Sequence, residues 1–374
     1  MMKQFIAALA LVAVVAGPNA ALAAGITTNM TKGSVGGNAP EVLVKWEMDG
    51  AYTAFTGTDY DKVLAGSQFM PSGSVGTDKE ISICGIVTDI DGVANIDNVY
   101  SNIWYPEEIY LGSNHEDARL GCGQEMGTQC RMTKLTKTEG ISLFCSNIQT
   151  NNNSLPVFDN ITAKGWDYLC KADGELQKET AYVACCNRSL SYEDPAGQYE
   201  VLVSVADNDG NNDKLENDMT YLPVTGIQAD FASVNYGEVR LNTEKVINGD
   251  LPWNTGTTGL LPSVRNTGNT RVQLSATQND MGLGQTDNVY NVQYKTRVGN
   301  VLTDWSPYYY PFATQWLNES LDLSETNEID FGIKVTKFPA HLGTSFMGTL
   351  TLGSQAATAL TCEGHTNLNT SPVD

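Results

Sequence analysis

Histidine is scarce in this chain: His115, His341 and His365 are its only three, and none stands in a setting that known chemistry uses. His115-Glu116 runs into Asp117-Ala118-Arg119, so the second histidine of a zinc-protease helix is missing. No Gly-x-Ser-x-Gly elbow occurs, which leaves a hydrolase triad without a nucleophile. Phosphate-cradling glycine loops are lacking as well, and so is any Cys-x-x-Cys pair. Carboxylates are so numerous that any two can be picked as a glycosidase pair, and abundance alone is no evidence for one. These gaps lead to the expectation that the protein is not an enzyme.

Basic residues are also few. Lys and Arg number 22 against 43 Asp and Glu, a formal net charge of -21. Charge-driven binding to nucleic acid or to anionic lipid would be repulsive, so neither is an expected partner. A solvated acidic surface and cation binding both fit.

Lys3, an apolar stretch over residues 5–17, Pro18 and Ala21-Leu22-Ala23 make a charged start, an apolar centre and a small-x-small cleavage site. That order marks residues 1–23 as a secretory signal peptide. The apolar stretch is shorter than the roughly 20 residues a membrane span needs. A secreted chain with no span of its own once the signal is removed is expected, held at a cell surface by something other than itself.

Eight cysteines are present: Cys84, Cys122, Cys130, Cys145, Cys170, Cys185, Cys186 and, far downstream, Cys362. An even number in an exported chain points to disulfides. Spacing alone leaves the connectivity open, and Cys362 has three options: reaching back to the first domain, pairing between chains, or staying free.

Alternation of apolar and polar residues sets the fold class. Val42, Val44, Trp46 and Met48 alternate with Leu43, Lys45 and Glu47, the rhythm of a strand with one buried face. The pattern returns at 81–84 and 99–105, and is cleanest where Tyr199, Val201, Val203 and Val205 lead into the turn Asp207-Asn208-Asp209-Gly210. Residues 175–186 are the best helical stretch. A Pro/Gly joint at 221–226 precedes further strands expected at 227–231, 238–241, 271–276, 289–294, 321–323, 329–335 and 346–352. Ile329, Phe331, Ile333 and Val335 then share one face, with Phe346, Gly348, Leu350 and Leu352 on a neighbouring strand.

The reading is all-β: two immunoglobulin-like β-sandwiches. The first spans residues 40–222 and carries a cysteine-rich, partly helical insertion at about 106–195; the second spans 223–355. A flexible Gly-rich leader (24–39) precedes them and a flexible tail (356–374) follows. The insertion's own core looks thin, so disulfides would supply the stability that burial does not.

Phe231-Ala232-Ser233-Val234-Asn235-Tyr236-Gly237-Glu238-Val239 and the later Asn266-Thr267-Gly268-Asn269 turn resemble ASH-type immunoglobulin-like surface domains. Val87-Thr88-Asp89-Ile90-Asp91-Gly92, Pro195-Ala196-Gly197-Gln198-Tyr199 and Asp280-Met281-Gly282-Leu283-Gly284 are similar to uncharacterised exported proteins of archaea, methanogens in particular. The resemblance implies a fold and a surface location, and no mechanism.

Three features bear on ligands. Asp207, Asp209, Asn211 and Asp213 crowd seven positions around Gly210, an oxygen-rich loop suited to Ca2+, with Asp89, Asp91 and Asp97 a weaker second cluster. Six Asn-x-Ser/Thr sequons, at Asn29, Asn152, Asn160, Asn187, Asn318 and Asn369, invite glycosylation of an exported chain. Trp305, Tyr308, Tyr309, Tyr310 and Trp316 offer rings on which a glycan can stack. The function expected is that of a structural or adhesive surface protein whose partners are other surface proteins or itself, with glycan binding in the cell envelope as the alternative. The leader precedes a strand and is placed to add to a neighbouring subunit's sheet edge.

Overall fold

A computed structural model describes residues 37–54, 66–73, 75–107, 122–148, 164–254, 261–339, 345–359 and 362. The expected signal peptide, nearly all of the leader, the three histidines and Asn29, Asn152, Asn160 and Asn369 lie outside the described residues.

The first half holds β1 (Glu41–Asp49), β2 (Gln68–Phe69), β3 (Lys79–Thr88), β4 (Ile96–Trp104), β5 (Cys130–Arg131), β6 (Thr133–Lys134), β7 (Ala181–Leu190), β8 (Gly197–Asp207) and β9 (Asn212–Tyr221). One sheet runs β1-β3-β7-β6 and the other β2-β9-β8-β4-β5. They close on a core that includes Ile81, Ile83, Val99, Tyr199, Val201 and Val203. Tyr199 Oη donates to the Pro195 carbonyl at 2.7 Å, a bond of the tyrosine-corner kind that fixes strand entry in immunoglobulin-like sandwiches.

The outer face of the first sheet is covered too. Leu43, Trp46, Met48, Cys84, Ile86 and Val183 pack under short helical pieces at Lys137–Ile141, Ser142–Ile148, Gly165–Cys170 and Glu175–Lys178. Phe144 sits between Trp46 and Trp166, with ring centroids at 5.3 and 5.0 Å. Thr136 and Glu139 form a capping box that starts the first helix, and Cys145–Cys170 staples the layer together. Both faces of β1 are therefore buried, not one. Lys45 and Glu47 lie between the two sheets at 0% exposure, where the lysine Nζ donates to Glu47 and to Asn217 of β9.

The helix expected over 175–186 stops at Lys178. Glu179 takes a left-handed φ of 61°, and the chain then enters β7, the partner of β3 along its whole length. Two-sided burial overrides the helical pattern here. Part of the stretch assigned to an insertion is thus a central strand of the first sheet.

The second half holds β10 (Ile227–Ala229), β11 (Glu244–Ile247), β12 (Ser263–Asn266), β13 (Val272–Gln278), β14 (Gln285–Thr286), β15 (Val289–Tyr290), β16 (Val292–Val298), β17 (Gln315–Leu321), β18 (Thr326–Val335) and β19 (Leu350–Ala356). In one sheet β18 is flanked by β16 on one side and by β12 and β11 in turn on the other, with β10 outside β12. The facing sheet is β17-β13-β19. Strand expectations shift accordingly. Residues 238–241 form no strand, and the last strand begins at Leu350, so Phe346 and Gly348 precede it. Ile329, Phe331 and Ile333 face the β19 sheet across the core rather than pairing with it.

The joint between the halves is bonded and packed. Leu323, just beyond β17, is buried in the first core. The Asn266–Asn269 turn docks on residues 222–226: Thr267 N–H donates to the Gly226 carbonyl at 2.9 Å, and a side chain at Gly268 would strike the Val224 carbonyl. All eight cysteines pair. Cys84–Cys185 joins β3 to β7, Cys130–Cys186 joins the two sheets, and Cys122–Cys362 ties the end of the chain back to the first half.

Candidate functional site

The acidic loops meet at the end of the first sandwich remote from the joint. Asp207 accepts backbone N–H bonds from Asp209 at 2.9 Å and Asn211 at 2.8 Å, and the Asn211 amide at 2.9 Å. Burial pushes the Asp207 carboxyl up, but these bonds outweigh it and leave the pKa below the usual value. Asp213 accepts the Val42 N–H at 2.9 Å. Asp89 accepts the Asp91 N–H and the Asn95 amide, while Asp91 accepts the Asn38 N–H at 2.7 Å. These carboxylates thus organise turns, and among the described residues no group of three or more His, Cys, Asp or Glu is placed to hold a metal.

The aromatic run divides in two. Tyr309 points inward at 5% exposure, its hydroxyl bonded to Gln278 and Thr296, so it offers no face to a sugar. That corrects one ring of the expected stacking set, because the strand-like pairing of Tyr294 with Tyr309 turns the side chain into the core. Trp305 is covered by cations, with Lys295 Nζ 4.1 Å and Arg297 Cζ 4.9 Å from its centroid. Tyr308 lies beside it, hydrogen-bonded to Glu244. Tyr310, Phe312 and Trp316 are exposed. Tyr290 gathers Tyr310 and Phe312, at 6.5 and 5.9 Å between centroids. Phe312 holds a φ of 64°, a conformation bulky residues rarely take.

A third feature escaped the sequence reading. Among the described residues the second sandwich is closed where β16 packs on β17, and no strand pair closes its opposite side. There the irregular segment between β10 and β11 faces the segment leading into β19, leaving a groove of ≈ 1090 Å³. Phe231, Val234, Ile333, Phe346, Leu350 and Leu352 are among its walls, and none of the 25 lining residues is charged, although charged residues make up 17% of the chain. Among the described residues β19 pairs only with β13, so its other edge borders the groove with backbone groups unpaired by any strand.

Asn187 and Asn318 are both exposed on strands, and Asn187 also donates to Glu80 at 3.0 Å. Asp194 is buried beneath Tyr105, whose hydroxyl donates to it at 2.8 Å.

No protein-family model matches the sequence, and no curated protein matches it. Among solved structures, the chain is similar to the CsuC–CsuE chaperone–tip adhesion subunit complex from the archaic chaperone-usher Csu pili of Acinetobacter baumannii. The identity is 12% and the TM-score 0.25, over 85% of this chain and 100% of that one. It is similar to carbohydrate-binding modules of the β-sandwich superfamily at 11% identity and a TM-score of 0.20, covering 86% and 98%. It is similar also to the C-terminal domain of the Streptococcus pyogenes antigen I/II-family protein AspA, at 10% and 0.21, covering 86% and 98%. Likeness of this depth carries no argument about ligand or partner. None of the three supports the methanogen resemblance.

Proposed function

We propose that the protein is a non-enzymatic extracellular structural or adhesive component that works through protein contacts made by its second sandwich. The observation that carries this reading is the uncharged groove, open along a free strand edge, on a chain whose net charge is -21. An apolar surface of this kind is where soluble proteins take partners. Met347 stands at the groove and is 85% exposed, so Met347→Asp places a charge there without touching the core. Retention of the secreted chain on its native envelope, compared between wild type and Met347→Asp, tests the reading; equal retention defeats it.

Tyr310, Phe312 and Trp316 favour a second reading, an envelope glycan stacked on exposed rings. Envelope polysaccharide that shifts tryptophan fluorescence in wild type, and no longer does so in Trp316→Ala, would support it.

A further inference from the structure

The groove lies beside a strand edge that no described strand pairs, and the chain carries a segment suited to add there. We propose that the leader residues Ile26-Thr27-Thr28-Asn29-Met30-Thr31 of a second copy insert beside β19 as an added strand. This rests on the reading of the groove as a protein-contact site and names its occupant.

Several observations converge. An incoming strand would pair with the free β19 edge through its backbone and lodge alternate side chains in the apolar walls. As an extended strand the leader would put Ile26, Thr28 and Met30 on one face, and Ile and Thr are strong strand formers. The first acidic residue of the whole chain is Glu41, and Lys32 is the only charged side chain between residues 24 and 40. An uncharged strand therefore meets an uncharged groove.

Placement favours a second copy over the chain's own leader. The described chain begins at Gly37, held between Asp91 and Asp209 at the hairpin end of β8, where Ala206 pairs with Asn212. The joint lies at the other end of β8, where Gly197 pairs with Tyr221. In the second sandwich Val272 and Ala356 pair near the joint, whereas Gln278 and Leu350 pair at the groove. Donor and acceptor thus sit at the ends of their sandwiches remote from the joint. Residues 24–36, fully extended, offer at most about 45 Å of chain for reaching a neighbouring copy. A contact between two different surfaces is heterologous, and repeated it builds an open chain of subunits.

The test uses the secreted full-length chain, mixed as isotope-labelled and unlabelled protein, with a photo-crosslinking residue replacing Thr28. Crosslinked peptides joining the leader of one copy to residues 345–352 of the other are the expected product. Crosslinks within one chain, crosslinks to another surface, or no crosslink at all would overturn the proposal. In parallel, the double variant Ile26→Asp/Met30→Asp alters only the leader and leaves the folded sandwiches intact. It should weaken self-association in sedimentation velocity by about tenfold or more, as should Met347→Asp, and combining them should add little. Unchanged association in the leader variant overturns strand donation. If Met347→Asp loses envelope retention while the leader variant keeps it, the leader is the wrong occupant and the protein-contact reading stands. If both keep it, both readings fall.

Discussion

Asn269 grips Val224 twice. Its backbone N–H donates to the Val224 carbonyl at 3.1 Å, and its side-chain Oδ1 accepts the Val224 N–H at 2.7 Å. The same side chain donates through Nδ2 to the Leu222 carbonyl at 3.0 Å, and the Asn269 carbonyl accepts the Ala196 N–H at 2.9 Å. A single residue of the second sandwich so behaves like one more strand position for the end of the first, and it is 1% exposed.

Asn269→Ala strips the Val224 N–H and the Leu222 carbonyl of their partners in a closed site. Each unmet group costs about 1–3 kcal/mol, so the variant should lose about 2–6 kcal/mol. Thermal unfolding should show a melting temperature lower by roughly 5–10 °C, and limited proteolysis should newly cut within 222–226.

The β class and most strand positions were legible in the sequence because alternation reports directly on one-sided burial. Where burial is two-sided the signal fails. Residues 181–190 lie between the sandwich core and the helical layer, and the first six of them fall in the stretch whose local pattern looks helical, although they are a central strand. The Asn266–Asn269 turn stood out as a packing signature, but its role as the joint depends on contacts with residues some 45 positions away, which no local pattern encodes. The groove was invisible for a related reason: it is made by segments between strands, and only the unpaired edge of β19 discloses it. Tyr309 shows the same limit, since three adjacent tyrosines look alike until a single strand-like pairing turns one of them inward.

Neighbouring rings should therefore respond oppositely to truncation. Tyr309→Ala removes a buried ring and leaves Gln278 and Thr296 short of a partner, a loss of about 3–5 kcal/mol. Phe312→Gly removes an exposed ring from a left-handed position that costs a bulky residue about 1–2 kcal/mol, which offsets the lost contact with Tyr290. Chemical denaturation should find the second variant within about 1 kcal/mol of wild type.

Burial pushes the Asp194 carboxyl up from 3.8 to about 6, against the pull of the hydrogen bonds from Tyr105 and Ser191. With the folded pKa above the unfolded one, the native state holds the proton more tightly between those values. Stability from this group is present at about pH 4, falls as pH rises through 6, and is lower by about 2–3 kcal/mol at neutrality. Asp194→Asn has no proton to lose. Urea unfolding of both proteins at pH 7, 5.5 and 4.5 should show wild type gaining on the variant as the pH falls; a constant difference would refute the assignment.

The four disulfides should open in order of exposure. Cys84 and Cys185 are fully buried in the first sheet, whereas Cys122 and Cys362 are partly exposed. Under native conditions with a mild thiol reductant, alkylation mapping should find Cys84 and Cys185 labelled last, after the equally accessible pairs Cys145–Cys170 and Cys122–Cys362. The Cys122–Cys362 bond closes a span of 240 residues, and removing it by Cys122→Ser/Cys362→Ser should cost about 2–5 kcal/mol.

Lys45 and Glu47 make the sharpest test of the core. Both side chains are at 0% exposure, with Asn217 the lysine's second partner. Two charges withdrawn from water barely recover their desolvation cost through mutual attraction, yet either one alone is far worse off. Glu47→Leu should therefore cost about 3–5 kcal/mol by stranding the ammonium group, and Lys45→Met a similar amount by stranding the carboxylate. The double variant Lys45→Met/Glu47→Leu strands neither charge. It keeps the volume between the sheets and should return to within about 1–2 kcal/mol of wild type or surpass it, a coupling that a double-mutant cycle in urea reads directly. If the two losses simply add, the residues do not act as a buried pair, and the sheets are held apart there by something other than this ion pair.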